Sequence, residues 1–339
     1  MTTRLNAAIW AAVLLLTSTT AFATTLDNVK ERGFVQCGVG KKDAPGFSSV
    51  DANGNWEGID VDICRAVAAA VFGDPAKVKF KQLLAEERFT ALRFGTIDML
   101  LHKSTWTMQR DTTYDISFAG VTYYDGQGFM ARKKLGISSA LELSGASVCS
   151  QSGTTGEKGA AQFFRSRKLP FEPILFDDAQ SATAAYDAGQ CDVLTDDVSR
   201  LYSIRLTLGT PADHMVLPEI VSKEPLGPFV RRDDDQWFSL VKWTLFALIN
   251  AEELGISSDN VEAMKDSGNP DVLRLLGQDG NFGRGLGLDG AWAYRVIKGV
   301  GNYSEIFERN LGSQSTLKIA RGLNALWSNG GILYAPPIR

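Results

Sequence analysis

The residues His102-Lys-Ser-Thr-Trp-Thr-Met-Gln-Arg-Asp111 follow directly on Gly95-Thr-Ile-Asp-Met-Leu-Leu101, and this junction decides how the chain is read. The apolar stretch 97–101 reads as a strand, so the polar decapeptide falls at the strand's C-terminal end and in the loop after it. Open α/β sheets bind ligands at that end. Hydroxyls at Thr105 and Thr107, an indole at Trp106 and a guanidinium at Arg110 crowd one short segment. Hydroxyls beside a planar fork of N–H donors suit a small carboxylate.

Outward from this segment, strands and helices alternate. Phe34-Val-Gln-Cys-Gly-Val39 reads as a strand, and Pro45-Gly-Phe-Ser48 with Asp51-Ala-Asn-Gly54 as loop and turn. Val61, Cys64, Val67, Ala68, Val71 and Phe72 fall at helical spacing and predict a helix over 60–72, with Asp60 capping its start and Gly73 its end. A strand at 78–80, a helix at 86–94 and the strand at 97–101 complete parallel β-α-β wiring. After Tyr123-Tyr-Asp-Gly-Gln-Gly-Phe-Met130 the design repeats. It gives the strand Ala146-Ser-Val-Cys149, the loop Gly153-Thr-Thr-Gly156, a helix over 157–166, a strand at 173–176, a helix over 179–189 and a strand at 191–195. A second lobe is implied. His214-Met-Val-Leu-Pro-Glu-Ile-Val-Ser-Lys-Glu-Pro-Leu-Gly227 is expected to return beside 126–130, the two crossings forming a hinge. Trp237, Leu240, Val241, Leu245, Leu248 and Ile249 then mark a core-packing helix. Further helices and turns fill 261–276 and 289–326, and the tail Gly330-Gly-Ile-Leu-Tyr-Ala-Pro-Pro337 packs back on the first lobe.

The 339 residues, 44% hydrophobic and 22% charged, suffice for two lobes of ordinary domain size and give no sign of disorder. A charged start at Met-Thr-Thr-Arg4, an apolar run over 7–16 and Ala21-Phe22-Ala23 read as a secretory signal peptide over 1–23. A membrane anchor needs about 20 apolar residues, and this run is half that; the apolar 237–249 segment is short and holds Lys242. No cysteine stands at the cleavage site to carry a lipid. In an exported protein four cysteines favour disulfides. Of three possible pairings, the local ones, Cys37–Cys64 and Cys149–Cys191, are expected. A formal net charge of −4 leaves no electrostatic footprint for nucleic acid. His102 and His214 lie far apart and no C-x-x-C pair occurs, so neither a metal nor a cofactor is predicted. Gly280-Asn-Phe-Gly-Arg-Gly-Leu-Gly287 has the wrong spacing and no preceding strand for a dinucleotide loop, and is read as an irregular surface loop.

Two places in the second lobe mirror the opening segment. Gly153-Thr154-Thr155 leads into a helix whose first N–H groups form an anion cradle, and Asp196-Asp197 ends a strand, where a carboxylate can accept from an ammonium. Arg110 with the cradle at one end and Asp197 at the other make a receptor for a zwitterion. The Thr107-x-x-Arg110, Gly153-Thr-Thr155 and Asp197 pattern resembles the periplasmic binding proteins of polar amino-acid ABC transporters, family 3. The general L-amino-acid binders among them are matched further by Pro45-Gly-Phe47, Gly58-Ile-Asp-Val-Asp-Ile-Cys64, Ser104-Thr-Trp-Thr107, Ser222-Lys-Glu-Pro-Leu-Gly227, Ala251-Glu-Glu-Leu-Gly255, Val300-Gly-Asn-Tyr303 and Arg321-Gly-Leu-Asn324. The resemblance covers essentially the whole mature chain.

It implies an α/β, two-lobed, type II periplasmic-binding-protein fold with two mixed sheets flanked by helices and a two-strand hinge. Lobe 1 is then 24–127 plus 221–339 with a C-terminal helical extension, and lobe 2 is 128–220. It further implies a monomeric periplasmic carrier that hands a free L-amino acid to an inner-membrane ABC permease with its cytoplasmic ATPase. Arg110 would grip the ligand α-carboxylate, helped by backbone groups around Lys103, Thr105 and Thr155, and Asp197 would take the α-ammonium. Phe47, His102 and Asp196 would lie near the ligand side chain. The chain departs from the family where relatives usually read Ser-Arg-Asn-Thr-Thr-Trp-Thr and this one reads Leu101-His-Lys-Ser-Thr-Trp-Thr107; it also has Asp196 where Thr is common, and Gly156 beside the cradle. An added acid at Asp196 facing the cleft would favour basic ligands. A cyclohexadienyl dehydratase-like lyase shares the scaffold, but His102, Asp196 and Glu157 are poor candidates for its general acid or base. Presentation to a membrane chemoreceptor would use the same pocket.

Overall fold

The structure is a computed structural model that describes residues 23–41 and 43–339. The expected leader over 1–23 lies outside the described residues except for Ala23. Two five-stranded mixed sheets form two lobes. In the first, Val35–Val39 runs parallel between Val78–Gln82 and Met99–Leu100, and Phe229–Arg231 lies antiparallel between Met99–Leu100 and Ile116–Phe118. In the second, Ser147–Gln151 is parallel to Glu172–Phe176 and Val193–Asp197, and Gln127–Arg132 lies antiparallel between Val193–Asp197 and His214–Val216. The C-terminal ends of both central strands, after Leu100 and at Asp197, face the same gap.

Tyr123–Asp125 and Glu224–Leu226 pair antiparallel as the two crossings between the lobes. This ribbon is sealed on both edges. On one side the Trp106 N–H donates to the Pro225 carbonyl at 2.8 Å, and Pro225 has no N–H of its own to satisfy. On the other, the buried Asn324 amide accepts from the Tyr124 N–H at 2.6 Å and donates to its carbonyl at 3.1 Å. A residue of the C-terminal extension thus stands in for a third strand.

The helix Ile59–Phe72 begins differently from its sequence reading. Its first N–H groups, at Ile59 and Asp60, donate to the carbonyls of Gly46 and Phe47 at 2.9 and 3.1 Å, so Asp60 does not cap it. The loop comes so close that a Cβ on Gly58, whose φ is +125°, would sit 2.0 Å from the Phe47 carbonyl oxygen. The 280–287 run lies mostly at the surface, as expected, but it is a regular, anchored turn. Phe282–Leu286 forms a 3₁₀ turn that packs against the Asp235–Glu253 helix, with Leu286 in the core and Gly283 buried beside Asp289 and Trp292. Trp237 is fully buried on that helix and donates its indole N–H to the Asp98 carbonyl at 2.9 Å. The tail packs on the first lobe through Leu333 and Ala335.

Both expected disulfides are present, Cys37–Cys64 and Cys149–Cys191, with sequence separations of 27 and 42. Each staples one lobe internally and neither crosses the gap. Replacing Cys149 and Cys191 by Ala should lower the stability of the second lobe by about 4 kcal/mol on loop entropy alone. Urea unfolding of oxidised wild type against the double variant measures it, and an unchanged midpoint contradicts the expectation.

Candidate ligand-binding cleft

Strand Met99–Leu100 ends by delivering a tightly held loop to the gap. The Lys103 N–H donates to Asp60 at 2.9 Å, and Lys103 has φ +44°, a left-handed conformation uncommon for such a side chain. Asp60, released from capping, is the buried acceptor that holds this turn, and burial pushes its carboxyl up to about 7 against the pull of Lys103. The next residues join the hinge: the Gly227 N–H donates to the Ser104 carbonyl at 3.2 Å, and Thr105 bridges Leu226. Thr107 caps the helix Met108–Thr113 by accepting from the Arg110 N–H at 3.2 Å. Arg110 itself is buried, donates one guanidinium N–H to the Thr105 carbonyl at 2.7 Å, and lies 5.1 Å from the centre of the Phe89 ring. Arg88 packs on that ring at 5.0 Å. Burial, then the neighbouring Arg110 charge, push Arg88 down to about 9.

Glu224 is the residue that sequence reasoning missed. Its buried carboxylate accepts from Thr105 at 2.5 Å, from Thr155 at 2.9 Å and from Ser222 at 2.5 Å. One hinge carboxylate therefore gathers a hydroxyl from each lobe, and the two threonine oxygens stand 3.2 Å apart. A Glu inside an otherwise apolar extended stretch, Glu224-Pro-Leu226, was the available signal: a buried carboxylate needs donors.

Across the gap, Thr154 caps the helix Thr155–Ser166, and the Gly153 N–H donates to Glu157 at 2.9 Å, so part of the cradle is filled by its own helix. Asp197 precedes the helix Val198–Thr207 but makes no capping bond. Its carboxylate faces the Lys103 ammonium at 3.0 Å. Asp196 lies 3.5 Å from the same ammonium and 3.4 Å from Arg200. Burial pushes the Asp197 carboxyl above the usual carboxylate range while Lys103 draws it back. For Lys103, desolvation favours the neutral amine, but Asp197 and Asp196 outweigh it and hold its pKa above the ordinary lysine value. The ammonium also lies 5.2 Å from the centre of the buried Phe47 ring.

A cavity of about 80 Å³ lies between the lobes, lined among others by Arg88, His102, Lys103, Thr155, Asp196 and Asp197. Thr105, Arg110 and Phe47 stand behind that lining. Lys41 with Asp178 at 3.2 Å, Ser152 with Glu86 at 3.2 Å and Lys158 with Gln109 at 3.0 Å bridge the rim. The lobes are closed on one another.

His102 is fully engaged. Its Nε2 lies 2.9 Å from the Leu83 carbonyl, which only accepts, so Nε2 carries the proton and the bare Nδ1 faces an Arg88 N–H at 3.4 Å. Burial and the Arg88 charge push its pKa down to about 3 from 6.5. The unfolded chain therefore binds a proton that the folded one refuses, and this contribution to stability, complete above pH 6.5, is lost as pH falls toward 3. Between pH 7 and 5 the loss from His102 should be about 2 kcal/mol. Asp60 works in the opposite direction, and it does so equally in a His102→Gln variant. Urea unfolding at both pH values should show the variant losing less stability on acidification than wild type, and equal losses contradict the assignment.

The model for bacterial extracellular solute-binding proteins, family 3, matches residues 36–259. The general L-amino acid-binding periplasmic protein AapJ of Rhizobium johnstonii is 60% identical over 337 residues, 99% of this chain and 98% of that protein. The glutamate/glutamine/aspartate/asparagine-binding protein BztA of Rhodobacter capsulatus is 49% identical over 329 residues, 97% of each. A periplasmic binding protein structure from Brucella ovis with glutathione bound superposes with a TM-score of 0.91 at 56% identity, covering 94% of this chain and 100% of that one. With two mixed sheets, a paired hinge and matches over nearly its whole length, the chain belongs to the bacterial extracellular solute-binding proteins, family 3.

Proposed function

We propose that this protein captures a free L-amino acid between its lobes in the periplasm and delivers it to an inner-membrane ABC permease with its cytoplasmic ATPase. The closing units are residues 24–127 with 221–339, and residues 128–220. The carrier acts as a monomer after loss of residues 1–23.

One observation carries the reading: Asp197, at the end of a second-lobe strand, holds an alkylammonium at 3.0 Å beside the buried Arg110 and the two threonines that meet at Glu224. That is the contact an α-ammonium makes. Arg110 uses one of five guanidinium N–H donors on Thr105, so it keeps donors for an α-carboxylate. The Thr105 and Thr155 hydroxyls give their protons to Glu224, which leaves the backbone groups around these two residues to serve that carboxylate, and the Lys103 N–H, engaged by Asp60, shapes the loop. His102 and Phe47 frame the side-chain end. Asp196 faces the cavity but is paired with Lys103 and Arg200, which argues against a preference for basic ligands.

The relatives support the same chemistry. Two are named for amino acids, and glutathione, held by the Brucella protein, carries a free α-ammonium and α-carboxylate on its γ-glutamyl end. The lyase reading finds no support in its candidate residues. His102 has both ring nitrogens engaged, Glu157 accepts from Gly153, and Asp196 sits in an ion-pair network. Turnover of prephenate or arogenate by the purified protein would overturn the carrier reading.

Thermal-shift screening against the twenty amino acids, followed by calorimetry, identifies the ligand. Arg110→Ala should then weaken binding by about 2 to 3 kcal/mol, roughly 30- to 150-fold in Kd, by removing a charge-assisted contact. An unchanged Kd in a folded variant overturns the site assignment.

A further inference from the structure

The Lys103 ammonium occupies the acceptor that the proposed ligand needs. It sits 3.0 Å from Asp197 and 3.5 Å from Asp196, and its side chain is 10% exposed. The backbone beneath it is pinned in a left-handed conformation by the bond to buried Asp60, so the ammonium is tethered at the cleft. We propose that Lys103 is an internal competitor for the ammonium subsite and thereby a specificity-determining residue, which selects amino acids carrying a second, side-chain carboxylate. This inference rests on the carrier reading above.

Charge decides the selection. An entering α-ammonium takes up Asp197, and two ammonium groups on one buried carboxylate repel each other in a medium that screens poorly. Asp196 offers limited relief because Arg200 already shares it. Lys103 must therefore turn from Asp197 while remaining inside a closing cleft. A neutral amino acid leaves that cation facing only Asp196, which Arg200 shares, and the Asp125 carboxylate, which already accepts from the Gly126 N–H and the Ser199 hydroxyl, and burying a poorly matched charge is costly. A side-chain carboxylate restores the pairing. Arg88 lines the same cavity and makes no ion pair with a carboxylate among the described residues, which adds to the positive charge facing a ligand side chain. A basic side chain would meet Lys103, Arg88 and Arg200 together.

Glutamate and glutamine separate charge from shape. Calorimetry on the full mature protein should give glutamate a Kd at least about tenfold below that of glutamine, a difference of about 1.4 kcal/mol. In Lys103→Asn the ratio should fall to unity or invert, with glutamine binding more tightly than it does to wild type, since its ammonium no longer displaces a resident one. Asn accepts the left-handed backbone readily, so the variant keeps the loop. Lys103→Arg, which retains the charge, should retain the preference for glutamate. A glutamate-to-glutamine ratio unchanged by Lys103→Asn, or a wild-type preference for glutamine, overturns the role of Lys103 and leaves the carrier reading standing. Absence of binding by all twenty amino acids to wild type and variant alike overturns both.

Discussion

Charges buried between two lobes have to be matched across the gap, and that constraint organises this molecule. Lys103, Arg88 and Arg110 come from the first lobe, Asp196, Asp197 and Arg200 from the second, and Glu224 from the strand that joins them. None of the acids can be buried at low energy without a cation or N–H donor from elsewhere. Closure is therefore the state in which each acid finds its partner. The elements beneath serve to place those groups: parallel strands end at the gap, and the Asp60 carboxylate fixes the turn that aims Lys103 across it.

Glu224 extends the constraint to the hinge. By accepting from Thr105, Thr155 and Ser222 it makes the crossing strand a chemical part of the cleft. A change in the angle between the lobes must alter the distance between Thr105 and Thr155, and with it this three-donor arrangement. The hinge and the cleft between the lobes are one set of hydrogen bonds seen from two sides.

Much of this was legible in the sequence because it depends on local order. Period 3.6 in 60–72, strands followed by polar loops, and cysteines each confined to one β-α-β segment led to the correct elements and both disulfides. The failures share one cause. Asp60 has every local qualification for a cap, yet the Gly46–Phe47 loop arrives first and takes the N–H groups. Lys103 is expected to act through its backbone, which Asp60 occupies, while its side chain reaches Asp197, 94 positions away in the chain. Asp196 meets the same distant Lys103, together with Arg200 four residues further along the chain. A departure from a family pattern at one position is interpretable only with the departure it touches, and here Lys103 and Asp196 touch each other.

The sealed edges of the crossing ribbon have a consequence for the molecule's behaviour in bulk. An isolated two-stranded ribbon normally leaves two rows of backbone groups able to template another chain. In this one, Pro225 removes a donor, Trp106 covers the remaining carbonyl, and Asn324 imitates a peptide group against Tyr124. The ribbon that joins the lobes is thereby poorly able to recruit a neighbour. Intermolecular strand addition is thus opposed at both edges of the ribbon, and the C-terminal extension that supplies Asn324 serves as a guard on it.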